Sequence, residues 1–170
     1  MKEIIKGKVW KFGDNINTDN MSPAQYIAHG VSEVAKHCLE AVRPEFPKEV
    51  KPGDILLGGD NFGTGSSRET APAALKQLGV HLVIAKSFAR IFFRNAIDIA
   101  LPVMICPELY DTTNDLDILS ANPTNGEIVN QTKGKTFKTR PLPQTMIEIF
   151  RAGGIINYAI QEKWQKRSEK

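Results

Sequence analysis

Short apolar runs separated by turn-forming residues dominate the first two thirds of the chain. Three of these runs predict buried strands, at residues 55–57, 81–85 and 101–105. The intervening segments predict helices at residues 71–78, ended by Gly79, and at residues 88–97, with Ser87 as candidate N-cap. Strands that alternate with helices favour parallel βαβ units between residues 55 and 105.

The rest of the chain predicts a more varied set of elements. They are a strand at residues 3–11, a turn-rich loop at 13–23, a helix at 32–41 capped by Ser32, a proline-containing connector at 43–54, a hairpin at 126–140, and a C-terminal helix from about Gln144 to Lys163, interrupted at Gly153 and Gly154. Together these elements predict a mixed α/β architecture in a single domain, residues 1–170.

Composition is ordinary for a soluble globular protein, with 41% hydrophobic and 24% charged residues among 170. The net charge of +3 arises largely in a basic tail formed by Lys163, Lys166, Arg167 and Lys170. A tail of this kind is not a nucleic-acid-binding motif, so we expect no nucleic-acid partner. No apolar run approaches the length of about 20 residues that a membrane span needs, and no signal-peptide core is present. We therefore expect a cytoplasmic protein without membrane contact.

Metal-binding signals are weak in this sequence. Cys38 and Cys106 are far apart and form no C-x-x-C pair, which favours two reduced, buried thiols over a disulfide. His29, His37 and His81 show no metal-binding spacing. We expect no metal site on this chain alone.

The glycine-rich segment at residues 58–69, GGDNFGTGSSRE, is the strongest candidate for chemistry. Four glycines within eight residues allow the backbone to approach a ligand closely. The segment ends where a helix is predicted to begin, so free N–H groups and the positive end of the helix dipole face any ligand there. Arg68 could bind a carboxylate through two hydrogen bonds. The segment therefore predicts an anion-binding site.

A purely structural interpretation of the same residues is a capping box, because Ser66 and Glu69 fit the S-x-x-E pattern. Pro72 argues against it, since a cap at Ser66 would place this proline inside the helix; a cap at Thr70 would place it in the first turn. No histidine or lysine adjoins the serines, and the G-x-S-x-G elbow is absent. Composition and spacing alone thus indicate binding of a small carboxylate or phosphate.

Four motifs in order resemble the swivelling domain of aconitase-type dehydratases. They are GDNFGTGSSRETAPAAL at residues 59–75, NTDNMSP at 17–23, KSFARIF at 86–92 and RAGG at 151–154. The resemblance covers nearly the whole chain and implies a swivelling β/β/α domain of the aconitase C-terminal (small-subunit) type. The sequence departs from the usual family pattern at Thr64, Thr70, Asp98 and Ala100, where the family has Cys, His, Asn and Gly.

This resemblance implies reversible loss and re-addition of water on a hydroxy-dicarboxylate. In the family, a 4Fe–4S cluster polarises the departing hydroxyl as a Lewis acid, and a base removes the proton next to a carboxylate. In two-chain members, the large subunit holds the cluster and the small subunit supplies the other wall of the site. We therefore expect a large, cluster-bearing partner subunit, in a heterodimer or heterotetramer, and an exposed patch around the serines.

The family's functional roles fall on residues of three segments. By motif, Ser66 matches the general base, acting as an alkoxide. Gly65, Ser67 and Arg68 match the part that binds a substrate carboxylate. Asp19 and Ser22 match the supporting substrate-site loop. Arg90 could belong to the site or could equally be a structural ion-pair partner.

Substrate choice is expected to depend on the loop formed by Ala28, His29, Gly30 and Val31. Family members commonly carry an arginine here, and this loop has none. An alkyl side group needs no cationic partner, so the loop favours isopropylmalate, a substrate of leucine biosynthesis, over the third carboxylate of homocitrate. Alternatives are homoaconitase, dimethylmalate dehydratase or citraconate hydratase activity, a non-catalytic anion-binding module, or a partner that only stabilises the large subunit.

Overall fold

The computed structural model describes the backbone of residues 4–168 and the side chains of residues 4–162. It shows the expected α/β architecture, a mixed seven-stranded sheet with helices packed against it. The strands are β1 (Ile5–Lys11), β2 (Ile55–Gly58), β3 (Leu82–Ala85), β4 (Val103–Ile105), β5 (Ile118–Asn122), β6 (Glu127–Asn130) and β7 (Lys135–Lys138). The helices are α1 (Thr18–Met21), α2 (Ala24–Ile27), α3 (Val31–Lys36), α4 (Phe46–Glu49), α5 (Thr70–Gln77), α6 (Arg90–Asp98), α7 (Pro107–Thr112), α8 (Gln144–Ala152) and α9 (Ile155–Ser168).

The sheet has the strand order β4-β3-β2-β1-β5-β6-β7 and divides into two halves at β1. Strands β1 to β4 are parallel, which confirms the predicted βαβ units. Strands β5, β6 and β7 continue the sheet antiparallel to their neighbours, and β6 and β7 form the predicted hairpin. Strand β1 pairs with β2 near its end and with β5 near its start. The parallel half thus forms a continuous edge at the carboxyl ends of its strands.

Hydrophobic clusters cover both faces of the parallel half. All side chains of β2 and β3 are buried, as expected for strands covered on two sides. Trp10 packs in one cluster with helices α3, α5 and α6, and its indole Nε1 donates to Asp54 at 2.8 Å. Asp54 also accepts from the Lys51 amide at 3.0 Å, so this buried carboxylate is satisfied. The two clusters hold the parallel strands, and therefore their carboxyl ends, in a fixed arrangement.

The predicted helix cap at Ser32 is wrong. Helix α3 begins at Val31, and Gly30 is its N-cap with a φ of 88°. The helix ends at Lys36 instead of residue 41, because the chain turns sharply and Leu39 takes a φ of 62°. The apolar face is nevertheless as predicted, since Val34, Ala35, Cys38 and Leu39 are all buried.

The predicted cap at Ser87 is also wrong, since α6 begins at Arg90 and Ala89 is its N-cap. The Ser87 hydroxyl is used elsewhere: it accepts from the Asn61 amide at 2.8 Å and donates to Asp60 at 3.0 Å. Ser87 therefore holds the glycine-rich segment rather than the helix.

The C-terminal helix is interrupted where the sequence predicted. Helix α8 ends at Ala152, Gly153 and Gly154 have φ of 83° and 133°, and α9 follows. The predicted basic tail lies outside the described side chains. Within residues 4–168, no helix combines the length and apolar character needed to cross a membrane.

Candidate active site

Three loops meet at the carboxyl ends of the parallel strands, a common location for ligand sites in α/β sheets. The central one, residues 59–69, follows β2, and we name it the serine loop. Its Gly63 amide donates to the Ile16 carbonyl at 2.7 Å, which ties it to the loop after β1. Its Phe62 amide donates to the Ser87 carbonyl at 3.0 Å, which ties it to the loop after β3. The serine loop is therefore fixed on both sides.

Two glycines of the serine loop have conformations and surroundings that exclude a side chain. Gly63 has a φ of 80°, and an added Cβ would lie 2.2 Å from Cγ of Phe92. Gly65 has a φ of 108°, and an added Cβ would lie 2.9 Å from Oγ1 of Thr18. These positions let the loop lie against α6 on one side and α1 on the other.

Ser66 and Ser67 are exposed at the tip of the serine loop. Thr18, which is only 2% exposed, contacts Ser66 from the protein interior. Its Oγ1 donates to the Ser66 carbonyl at 3.2 Å and lies 3.3 Å from the Ser66 hydroxyl oxygen. Its amide donates to the Thr64 carbonyl at 2.8 Å. Thr18 was not predicted as a site residue from the sequence, although its place beside Asp19 in the NTDNMSP motif was a signal.

Arg68 contacts the 17–23 segment, which contains Asp19 and Ser22 of the expected supporting loop. Its Nη1 donates to the Ser22 carbonyl at 2.8 Å and forms an ion pair with Asp19, whose side chain is 64% exposed. Ser22 is fully buried, and its hydroxyl lies 2.6 Å from that of Thr70. Asp19 and Ser22 thus brace Arg68. Thr70, where the family has His, is a second contributor that the sequence analysis did not assign.

Helix α5 begins at Thr70 with Glu69 as N-cap, and among the described residues no side chain caps it. The capping box of Ser66 and Glu69 is therefore not formed. Pro72 lies in the first turn as predicted, although the cap is one residue earlier than expected. Pro72 has no N–H, and the Ala71 and Ala73 amides donate to the Arg68 and Glu69 carbonyls at 3.2 and 3.4 Å. Among the described residues, this helix start therefore offers an anion the Thr70 amide and the positive dipole end. This geometry supports the anion-binding interpretation.

Arg90 lies beside the serine loop at the first position of α6 and is exposed. It lines a concave surface of about 520 Å³ together with Gly63, Gly65 and Phe88. Within the part of the chain that the structure describes, its guanidinium forms no ion pair, and both roles considered for Arg90 stay predictions.

The loop of Ala28, His29, Gly30 and Val31 connects α2 to α3. Its first three residues are exposed, and Val31 is half-buried. At its borders, the rings of Tyr26 and His37 stack with centroids 3.6 Å apart. Helix α3 packs on α5, the helix that begins at the serine loop. The structure leaves the loop's predicted role in substrate choice as a prediction.

The two cysteines do not fit a shared iron–sulfur site. Cys38 and Cys106 are free thiols, 0% and 2% exposed, in the separate clusters on opposite faces of the sheet. Burial raises the pKa of both thiols, which disfavours the thiolate form that binds metals. Among the described residues, no three His, Cys, Asp or Glu side chains lie close enough to bind a metal ion.

Both thiols are expected to resist alkylation in the folded protein, because they are buried and protonated. Reaction with iodoacetamide followed by intact mass measurement should show no label on the native chain and two labels after unfolding. Rapid labelling of either cysteine under native conditions would contradict the burial described above.

Comparisons with known proteins agree with this fold. The model of the aconitase C-terminal domain matches residues 2–108. The 3-isopropylmalate dehydratase small subunit of Thermodesulfovibrio yellowstonii is 53% identical over 91% of this chain and 92% of its own length. The isopropylmalate/citramalate isomerase small subunit of Methanocaldococcus jannaschii is 50% identical over 93% and 95%.

A crystal structure of 3-isopropylmalate dehydratase from M. jannaschii superposes with a TM-score of 0.91 at 42% identity, covering 98% of this chain and 99% of that one. The chain belongs to the aconitase C-terminal domain family and, within it, to the group of small subunits that these relatives represent.

Proposed function

We propose that this chain is the small subunit of a cytoplasmic two-chain hydro-lyase that interconverts 2-isopropylmalate and 3-isopropylmalate by dehydration and rehydration. One observation carries the proposal: an exposed serine, Ser66, stands beside Arg68 at an uncapped helix start. The names of the relatives, small subunits of isopropylmalate-converting enzymes, support the same reaction.

Arg68, Ser67 and the backbone at Gly65 form the proposed binding site for a substrate carboxylate. The guanidinium is already oriented by the Ser22 carbonyl and by Asp19. A substrate carboxylate would share Arg68 with the exposed Asp19 carboxylate, and two charge-assisted hydrogen bonds would fix its position. The carbon next to this carboxylate would then face the Ser66 hydroxyl.

Ser66 is the proposed base that removes the proton from that carbon. A serine hydroxyl is ordinarily protonated at neutral pH, so the alkoxide must be stabilised. The positive dipole end of α5 and the Arg68 charge both favour the anionic form of Ser66. In the reverse direction, Ser66 returns the proton to carbon as water adds to the neighbouring position.

The iron–sulfur cluster of this reaction belongs, in this proposal, to the large subunit, because the buried thiols here do not fit it. When bound there, the cluster would act as a Lewis acid on the substrate hydroxyl. The contribution of this chain is the base, the carboxylate site and the wall that closes over the substrate.

The loop of Ala28, His29, Gly30 and Val31 supports an alkyl-substituted malate as substrate. It contains no arginine or lysine that would pair with a third carboxylate. The substrate class can be tested with the two chains mixed anaerobically and the cluster reconstituted, against isopropylmalate, citramalate, dimethylmalate and homocitrate. We expect turnover of isopropylmalate; turnover of homocitrate alone would refute the interpretation of the loop while leaving the site chemistry intact.

Thr18→Val is expected to lower kcat about 2- to 10-fold with little change in KM, the equivalent of one neutral hydrogen bond. Valine has nearly the same volume but cannot donate a hydrogen bond to the Ser66 carbonyl or form one with the Ser66 hydroxyl. Steady-state kinetics of the mixed chains would measure this, with Thr18→Ser as the control that retains the hydroxyl. An unchanged kcat in Thr18→Val would remove Thr18 from the positioning of Ser66.

A further inference from the structure

An exposed face of helix α6 adjoins the serine loop. Arg90 and Arg94 are exposed on this helix, and Ile91 between them is 49% exposed. Below the helix lies a groove of about 390 Å³, lined in part by Phe88 and Met146. We name this region the α6 surface, and its residues are Phe88, Arg90, Ile91, Arg94, Ile105 and Met146.

The two arginines do not stabilise α6 itself. Arg90 occupies the first helical position, where the positive dipole end disfavours a cation, and no side chain of the described residues caps this end. Arg94 follows one turn later, so two like charges adjoin on the same face. In residues 4–162 neither guanidinium has a hydrogen bond or ion pair. An anionic group outside this chain would account for both arginines.

The groove beside the two arginines is partly lined by exposed apolar side chains. Ile105, at the end of β4, is 44% exposed and lines the groove together with Arg90 and Arg94. Phe88 and Arg90 line both this groove and the concave surface at Gly63 and Gly65. The α6 surface is therefore continuous with the candidate active site, and a partner seated on it would border the substrate.

We propose that the α6 surface docks a segment of the cluster-bearing large subunit that combines acidic side chains, which pair with Arg90 and Arg94, with an apolar side chain, which enters the groove. The proposal rests on the proposed function, because it takes the large subunit as the partner. Charge complementarity selects an acidic segment, and continuity with the serine loop places it where the second wall of the active site is needed.

The test is the affinity of the small chain for the large subunit, measured anaerobically by calorimetry independently of activity. Arg90→Glu/Arg94→Glu is expected to raise Kd about tenfold to a hundredfold, because both acidic contacts become repulsive. The fold should be retained, since a carboxylate at the start of α6 suits the helix dipole. A matched control, Lys48→Glu/Lys51→Glu, makes the same charge change at two exposed lysines, one in α4 and one between α4 and β2. It should leave Kd unchanged.

A second variant tests the apolar part: Ile105→Asp, at an exposed residue that lines the groove, should also weaken binding without lowering the melting temperature of the isolated chain. An unchanged Kd in both variants of the α6 surface would overturn the proposal, as would an effect confined to KM, which would assign the arginines to the substrate. Normal binding by the wild-type chain without turnover of any hydroxy-acid would instead refute the proposed function alone. Failure of the wild-type chain to bind the large subunit would refute both.

Discussion

Ser66→Ala is expected to lower kcat of the two-chain enzyme by about 10²–10⁴-fold, the usual contribution of a general base. Alanine removes the hydroxyl that is proposed to take the proton, while the backbone contacts of the loop, from Thr18 and from the Arg68 amide to the Ser66 carbonyl, remain. Substrate binding through Arg68 should be retained, so KM should change little. Anaerobic steady-state kinetics with isopropylmalate would separate these two parameters.

The matched control for this experiment is Thr124→Ala, which removes an exposed hydroxyl from the turn between β5 and β6, in the antiparallel half of the sheet. It should behave as the wild type. Full activity in Ser66→Ala would show that the small chain acts only by stabilising the large subunit or by binding an anion, since neither role needs the hydroxyl.

Gly63→Ala is expected to lower the free energy of unfolding by about 2–5 kcal/mol. About 1–2 kcal/mol comes from forcing an L residue into a φ of 80°, and about 1–3 kcal/mol from overpacking against Phe92. Phe92 is 1% exposed, packs edge-to-face against Phe62 and stacks on Phe88, so it has little room to move. Urea unfolding of the isolated chain, followed by circular dichroism, would measure the loss.

Gly134→Ala separates the two causes. Gly134 also has positive φ, at 65°, but an added Cβ there meets no atom within 4 Å. It should therefore show only the conformational part, about 1–2 kcal/mol. Equal losses in the two variants would contradict a steric clash at Gly63 and would mean that the serine loop can move away from α6.

The parallel half of the fold was predictable because its signals are local. Each buried strand is an apolar run bounded by turn residues, and the helix after the serine loop is ended by Gly79, as the pattern requires. The pairing of β1 was not predictable in this way. Strand β1 pairs with a parallel neighbour near its end and with an antiparallel neighbour near its start. The second pairing is with β5, which lies more than a hundred residues later in the sequence.

Short elements were also missed. Helix α1 has four residues, too few for apolar periodicity, and is held by reciprocal capping between Asn17 and Asn20 at 2.8 and 3.1 Å. A capping box usually has Glu or Gln at the second position, so the sequence pattern did not reveal it. Helix α7 was missed although Pro107 at its first position was a usable signal.

The site was predictable only in part, because some of its signals are local in sequence and others depend on the folded chain. Ser66, Ser67 and Arg68 lie in one contiguous segment, and their motif was sufficient to single them out. The contacts of Thr18 with Ser66 and of Thr70 with Ser22 span 48 residues, so only the folded chain shows them.

In the proposed function, this chain completes the active site of a two-chain isopropylmalate hydro-lyase. The most direct test is anaerobic turnover of isopropylmalate by the reconstituted large subunit, titrated with increasing amounts of this chain. We expect no turnover by either chain alone, and a rate that rises as the small chain is added and saturates at a fixed ratio of the two chains. Full turnover by the large subunit alone, unaffected by the small chain, would contradict it.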